Sequence, residues 1–188
     1  MPAPVYLVRH GQSEWNVLRL TQGQTAHPRL TEEGRDQANA AAALIAADLG
    51  DHPVAVISSD LTRARETADI IAKRLSAEVI EDQRLREQHL GDLEGKSYDE
   101  TWAAAELHDW SDPTLPVAGG ESLQAVRERM VACLGDLDPA QVHIVVSHGD
   151  AIRAAIAHAN DEAAHEASWV EVPNGSVARL GPEVTWLT

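Results

Sequence analysis

Three short apolar runs constrain the fold most: Val5 to Val8, Val54 to Ile57 and Val142 to Val146. Each is rich in β-branched residues and lacks the alternation of a strand with one wet face, so each reads as a strand buried on both sides. Helical patterns lie between them. Thr31 can cap a helix to about Leu49, with Glu32 and Glu33 in its first turn, and another covers about Thr62 to Leu75. Ser97-Tyr98-Asp99-Glu100 has capping-box spacing ahead of a helix carrying Trp102, Leu107 and Trp110. Behind the break at Gly119-Gly120, Leu123, Val126, Met130, Leu134 and Leu137 recur at helical spacing, and small residues from about Asp150 suggest one more helix. Val79-Ile80 adds a short strand. The tail, Trp169 to Val172 and Val177 to Leu187, reads as short strands about the Pro173-Asn174-Gly175 turn. Strands alternating with helices imply a three-layer α/β/α fold with a largely parallel central sheet. With no repeat or linker, residues 1–188 read as one domain.

Two of the buried runs end on histidine. Arg9-His10-Gly11 follows the first, and Ser147-His148-Gly149 closes the last. Open α/β sheets bind ligands in the crevice outside the carboxyl ends of their strands, so both imidazoles are placed to meet one ligand. Neutral imidazole is a nucleophile near pH 7 and imidazolium an anion clamp. Arg9, and Arg63 at the start of the helix after Ser58-Ser59-Asp60, add cations at neighbouring strand ends. A phosphoryl group in transfer carries charge on its equatorial oxygens, and the guanidinium fork suits them. Backbone N–H groups at a helix start favour the same anion, while Gly11 and Gly149 let backbone approach it. Glu87, in the loop Arg86-Glu87-Gln88-His89-Leu90-Gly91, supplies a carboxyl that can protonate a leaving alkoxide and then deprotonate water.

These residues resemble, nearly end to end, the histidine phosphatase superfamily, also called the phosphoglycerate mutase-like family. Arg9-His10-Gly11-Gln12-Ser13-Glu14-Trp15-Asn16 is similar to its first signature, and Ser58-Ser59-Asp60-Leu61-Thr62-Arg63-Ala64-Arg65-Glu66-Thr67-Ala68 to its second. The Glu87 loop, Gly119-Gly120-Glu121-Ser122-Leu123 and Ser147-His148-Gly149 follow in the family's order. The resemblance implies that His10 attacks phosphorus and becomes phosphohistidine. It also implies that Arg9, Arg63 and His148 hold the phosphoryl oxygens, that Asn16 adds a polar contact, and that Glu87 is the proton donor. Gln22-Gly23 matches a loop that touches substrate, and no metal or organic cofactor is implied. Gln24 to Leu30 lacks the aspartate common in that loop and runs one residue longer, and Leu90 and Leu93 stand where aromatics are usual.

Taken singly, the same residues have duller readings. Arg-His-Gly is often just a turn, Arg63 a solvated helix residue beside Arg65 and Glu66, and Glu87 a surface carboxylate. Their recurrence at successive strand ends is what those readings leave unexplained. His143 reads as a packed strand histidine. Asp161, Glu162, His165 and Glu166 read as an acidic solvated helix face rather than a metal site, and Trp102, Glu106 and Trp110 as one helix face in the core or over the pocket. His10 itself is expected in a loop rather than in the core.

A formal net charge of −15 argues against nucleic acid or an anionic membrane as partner. The single cysteine, Cys133, excludes an internal disulfide and reads as a small core residue. Met1-Pro2-Ala3-Pro4 opens no signal peptide and no stretch is long and apolar enough to span a bilayer, so a cytoplasmic protein is expected, with monomer and homodimer both open. The substrate expected is a small phosphate ester: a sugar phosphate, phosphoglycerate derivative or nucleoside phosphate. Short length, Glu94-Gly95 and Gly120-Glu121-Ser122 look like the phosphatase branch; the alternatives are a phosphoglycerate-type mutase, a phosphohistidine protein phosphatase and a non-catalytic phosphate-binding scaffold. A metal-dependent phosphatase lacks an acidic cluster with clear ligand spacing.

Overall fold

In the computed structural model the described residues are 3–49, 52–164 and 169–188. Six strands form one sheet: β1 (Val5–Arg9), β2 (Val54–Ser58), β3 (Val79–Glu81), β4 (Val142–Ser147), β5 (Val177–Leu180) and β6 (Thr185–Trp186), in the spatial order β3-β2-β4-β1-β5-β6. The first four are parallel, and β5 and β6 add an antiparallel edge. All six residues of β4, the strand between β1 and β2, are buried. Its mostly apolar run, broken only by the buried His143 before Ser147, follows from helices on both faces.

Successive side chains along a strand point to opposite faces, and the two cores divide accordingly. Tyr6, Val8, Ile144 and Val146 pack with α2 (Glu32–Leu49) and α3 (Thr62–Leu75) on one side. Leu7 and Val145 pack on the other side with α5 (Leu123–Gly135) and α6 (Gly149–Ala159), through Val126, Met130, Cys133, Ile152 and Ile156. Cys133 is buried as expected, and burial, with Asp82 beside it, pushes its thiol pKa up to about 12. A four-residue helix, α1 (Glu14–Val17), follows the β1 loop, and α4 (Tyr98–Glu106) packs near it. The Thr31 hydroxyl accepts the Gly34 N–H at 3.0 Å, the cap foreseen for α2, and Ser97 with Glu100 closes the capping box of α4.

Three expectations fail. The α4 pattern stops at Glu106, so Trp102, Glu106 and Trp110 share no helix face, and neither tryptophan is core: Trp102 is 58% exposed and Trp110 41%. Beyond Leu107 the chain turns on its aspartates, with Asp109 and Asp112 accepting the Ser111 and Thr114 N–H groups, and this local bonding competes with helix. In the tail, 169–172 forms no strand. The Val170 and Val172 carbonyls accept Arg153 and Arg9 instead, leaving no ladder for a neighbour. Asp161 and Glu162 lie past the end of α6, Asp161 at a φ of 59°, so they share no helix face either, while His165 and Glu166 lie outside the described residues. His143 is packed in β4.

Among the described residues no helix is long and apolar enough to cross a membrane.

Candidate active site

Parallel pairing sets the site. Arg9 stands opposite Ser147 at the ends of β1 and β4, and the next residue on each chain is a histidine. The His10 N–H donates to the Ser147 carbonyl at 3.0 Å, and the two imidazole centroids lie 5.1 Å apart. One strand further along the sheet, the Ser59 N–H donates to the Val146 carbonyl at 3.0 Å, bringing the β2 end to the same place. Three strand ends thus meet in one crevice.

His10 is a loop residue and yet only 2% exposed, so the loop itself is buried. Its Nδ1 lies 2.7 Å from the Gly11 carbonyl oxygen, which can only accept; Nδ1 therefore carries the proton and Nε2 keeps a free lone pair. Burial, reinforced by the Arg63 and Arg9 cations, holds the imidazole pKa well below its usual range and keeps the ring neutral. Such a ring can attack phosphorus without first losing a proton.

His148 is fully buried and its pKa is likewise held low, by burial first and then by Arg63, His10 and Arg9. Its Nε2 meets the Ser59 hydroxyl at 2.8 Å. That hydroxyl also accepts the Leu61 N–H at 3.3 Å, and with its own proton on Nε2 the ring would carry its proton on Nδ1. Nδ1 is buried with no partner among the described residues. An unpaired buried donor is costly, and a phosphoryl oxygen would satisfy it.

The arginines share this pattern. Arg63 is fully buried rather than solvated, its Nη1 and Nη2 tied to the Thr25 and Gly23 carbonyls at 2.9 and 2.8 Å. Arg9 donates Nη1 to Val172 at 2.5 Å. The Nε of each is buried and unpartnered. Burial lowers both pKa values, that of Arg63 to about 10, and both side chains remain cations at neutral pH. Anchored cations with unspent donors suit an anion that carries several acceptor oxygens.

Glu87 lies across the first turn of α6. Its Oε1 accepts the Asp150 and Ala151 N–H groups, both at 3.1 Å, and that of Gln88 at 3.0 Å. Burial, then the Asp150 carboxylate, raises its pKa despite these donors and the Arg9 and Arg63 charges. A Cβ on Gly149 would lie 3.3 Å from Arg153 Nη1, 3.6 Å from Glu87 Oε2 and 3.8 Å from Arg9 Cζ, so this backbone position borders both the carboxyl and the Arg9 cation.

The other expected contacts are further back. Asn16 accepts the Ser13 N–H in the capping box of α1 and donates Nδ2 to the Tyr98 hydroxyl at 3.3 Å. Gln22 accepts the Ser13 hydroxyl at 2.7 Å, and Gly23 enters through the carbonyl that holds Arg63. Asn174 bridges Asn16 to His10: its Nδ2 donates to the His10 carbonyl at 3.1 Å and to Asn16 Oδ1 at 3.3 Å. Sequence reasoning missed Ser59, Tyr98 and Asn174. Asn174 shows in the sequence only as the first half of an Asn-Gly turn. Among the described residues no group of three or more His, Cys, Asp or Glu is clustered as a metal centre requires.

Comparison with known proteins agrees with this geometry. The histidine phosphatase superfamily (branch 1) profile matches residues 5–184. The chain belongs to that superfamily. The probable phosphoglycerate mutase GpmB of Photorhabdus laumondii is 37% identical over 185 residues, covering 94% of this chain and 83% of its own, and that of Serratia proteamaculans is 36% identical over 193 residues, covering 97% and 87%. Among solved structures, a protein described as mycobacterial hydrolase 1 superposes with a TM-score of 0.83 at 30% identity, covering 98% of this chain and 95% of its own. A mycobacterial glucosyl-3-phosphoglycerate phosphatase bound to VO3 superposes with a TM-score of 0.78 at 32% identity, covering 98% and 96%. The superfamily's relatives thus carry both mutase and phosphatase names.

Proposed function

We propose that the protein is a metal-independent phosphomonoesterase that hydrolyses a small phosphorylated metabolite through a phosphohistidine on His10. The observation that carries this reading is the neutral His10 ring, Nδ1 spent on Gly11 and Nε2 free, facing a second buried imidazole and two anchored arginines with unpaired donors. His10 Nε2 attacks phosphorus, the P–N bond forms, the ester P–O bond breaks, and the departing oxygen takes the Glu87 proton. Water then attacks the phosphohistidine, Glu87 takes a proton from it, and breaking of the P–N bond releases inorganic phosphate and the neutral ring. Arg9, Arg63 and His148 neutralise the equatorial oxygens throughout, with Asn16, Gln22, Gly23 and Gly149 shaping the pocket.

The substrate class follows from Glu87. A carboxyl acid is required for an ester with a poor leaving group, such as a sugar phosphate, a phosphoglycerate derivative or a nucleoside phosphate, and less so for a phosphoramidate. The names of the curated relatives favour a second reading, a mutase, in which the phosphoryl group returns to a second hydroxyl of the bound substrate.

Phosphate release from p-nitrophenyl phosphate with excess chelator tests the reading. The wild type turns over, and His10→Ala falls by about a thousandfold or more while phosphohistidine disappears from the alkali-quenched protein. Comparable turnover in both would end the His10 mechanism, and full inhibition by chelator would end metal independence. Glu87→Gln slows an alkyl phosphate by about a hundredfold but p-nitrophenyl phosphate far less. Interconversion of 2- and 3-phosphoglycerate faster than phosphate release would select the mutase.

A further inference from the structure

Glu87 sits in a loop with little regular structure, between two single turns of 3-10 helix, Gln83–Leu85 and Gly91–Leu93. A general acid must hold its proton within hydrogen-bond reach of the departing oxygen, and a loop on its own does not supply that precision. The restraint comes from α5. The Arg129 Nη1 donates to the Arg84 carbonyl at 2.7 Å and the Arg86 carbonyl at 2.5 Å, and its Nη2 to the Glu87 carbonyl at 2.9 Å. Arg129 is itself held by Glu121: Nε donates to Oε1 at 2.9 Å and Nη2 to Oε2 at 3.0 Å. Glu121 Oε2 also accepts the His89 N–H at 2.8 Å and the Gln24 side-chain amide at 3.2 Å. That same amide reaches the Glu87 carbonyl at 3.1 Å. Both members of the pair are mostly buried, Arg129 with 16% and Glu121 with 23% of the side chain exposed.

We infer that the Glu121–Arg129 pair is a positioning device for the acid, fixing the backbone on both sides of Glu87 so that its carboxyl stays on the first turn of α6. The planar guanidinium spans carbonyls that a point donor could not hold together. The phosphate-holding side has a further anchor that does not use Arg129: Glu94 accepts the Gln24 N–H at 2.9 Å and the Thr25 hydroxyl at 3.3 Å, beside the Gly23 and Thr25 carbonyls that hold Arg63. The device therefore acts on protonation of the leaving group and not on grip of the phosphate. This inference rests on the acid role proposed above for Glu87.

The experiment uses two conservative variants. Arg129→Lys keeps the charge but loses the fork; Glu121→Gln keeps the shape but loses the charge. Each is assayed with β-glycerol phosphate and with p-nitrophenyl phosphate, alone and in a Glu87→Gln background, with inorganic phosphate inhibition measured beside them. kcat on the alkyl ester is expected to fall by between about tenfold and about a hundredfold, and on the nitrophenyl ester by less than about threefold. The inhibition constant of phosphate stays within about twofold, and in the Glu87→Gln background Arg129→Lys costs less than about twofold more, because its target is already gone. A merely structural pair would slow both esters alike and multiply with Glu87→Gln; either result overturns the inference while leaving the acid in place. If Glu87→Gln alone shows no preference between the esters, the acid role falls and the positioning role with it. Should Arg129→Lys lose its fold by circular dichroism, Glu121→Gln decides by the same ratio.

Discussion

At the scale of single residues, the hydroxyl of Ser59 governs what its neighbour can offer a ligand. The Leu61 N–H feeds that oxygen, and where the hydroxyl proton goes to His148 Nε2 the free Nδ1 is the ring's donor. Ser59→Ala removes this control, so the ring can protonate Nε2 and turn a lone pair toward the phosphoryl oxygens. The expected result is a rise of about tenfold in the inhibition constant of inorganic phosphate, consistent with about 1–3 kcal/mol for an unsatisfied buried polar atom. Ser59→Thr, which keeps the hydroxyl, restores it; unchanged inhibition in Ser59→Ala would show that tautomer control is elsewhere. The positions of Arg9, His10, Arg63 and His148 are legible in the sequence because each stands where a buried run or a helix start ends in a glycine or a serine pair. Ser59 is not legible as a partner of His148, since the contact joins positions 89 apart and depends on β2 and β4 being neighbours. Asn174 is hidden for the same reason: it reaches His10 across a separation of 164.

Among elements, a tight joint lies between the His10 loop and the start of α2. A Cβ on Gly34 would lie 2.1 Å from the Gln12 carbonyl oxygen, and one on Gly11 would lie 2.1 Å from that of Gly34, so backbone rests on backbone. Thr67 on α3 closes the joint from the other side by accepting the Gly11 N–H at 3.1 Å. Gly34→Ala must push the loop off the helix. A loss of about 2–3 kcal/mol is expected, read as a fall in Tm of roughly 5–12 °C, with turnover dropping because His10 moves too. An unchanged Tm would show that the loop can yield freely. The apolar runs of β1, β2 and β4 were legible because both faces of a parallel sheet are covered and only the buried His143 interrupts them. The tail and the end of α4 were not. Val170 and Val172 have strand-like side chains, but their carbonyls go to arginines from other elements. Leu107, at 89% exposure, has no packing partner to repay continued helix.

Taken as a whole, the molecule holds two neutral imidazoles at its centre, and this sets its response to acid. His10 and His148 have folded-state pKa values below their unfolded values, so the unfolded chain binds more protons as pH falls through about 6.5 and stability is lost there. Glu87, raised by burial, acts in the opposite sense above its ordinary carboxylate range, one group against two. Asp60, Asp82 and Glu121 are held low by their arginines, and their stabilisation fades only in more acid solution. Tm should therefore fall between pH 7.5 and 5.5, more steeply in Glu87→Gln and less steeply in His148→Asn; a flat profile in all three would contradict neutral rings. The sulfur chemistry of the chain points to a different kind of robustness. Its one thiol is packed between the sheet and α5, 3.5 Å from the Asp82 carboxylate and far from the ionised state that reacts with peroxide or alkylating agents. Phosphatases that attack with a cysteine thiolate are silenced by such oxidants; an enzyme that attacks with an imidazole, as proposed for His10, and keeps its only thiol in the core would keep working through an oxidative burst.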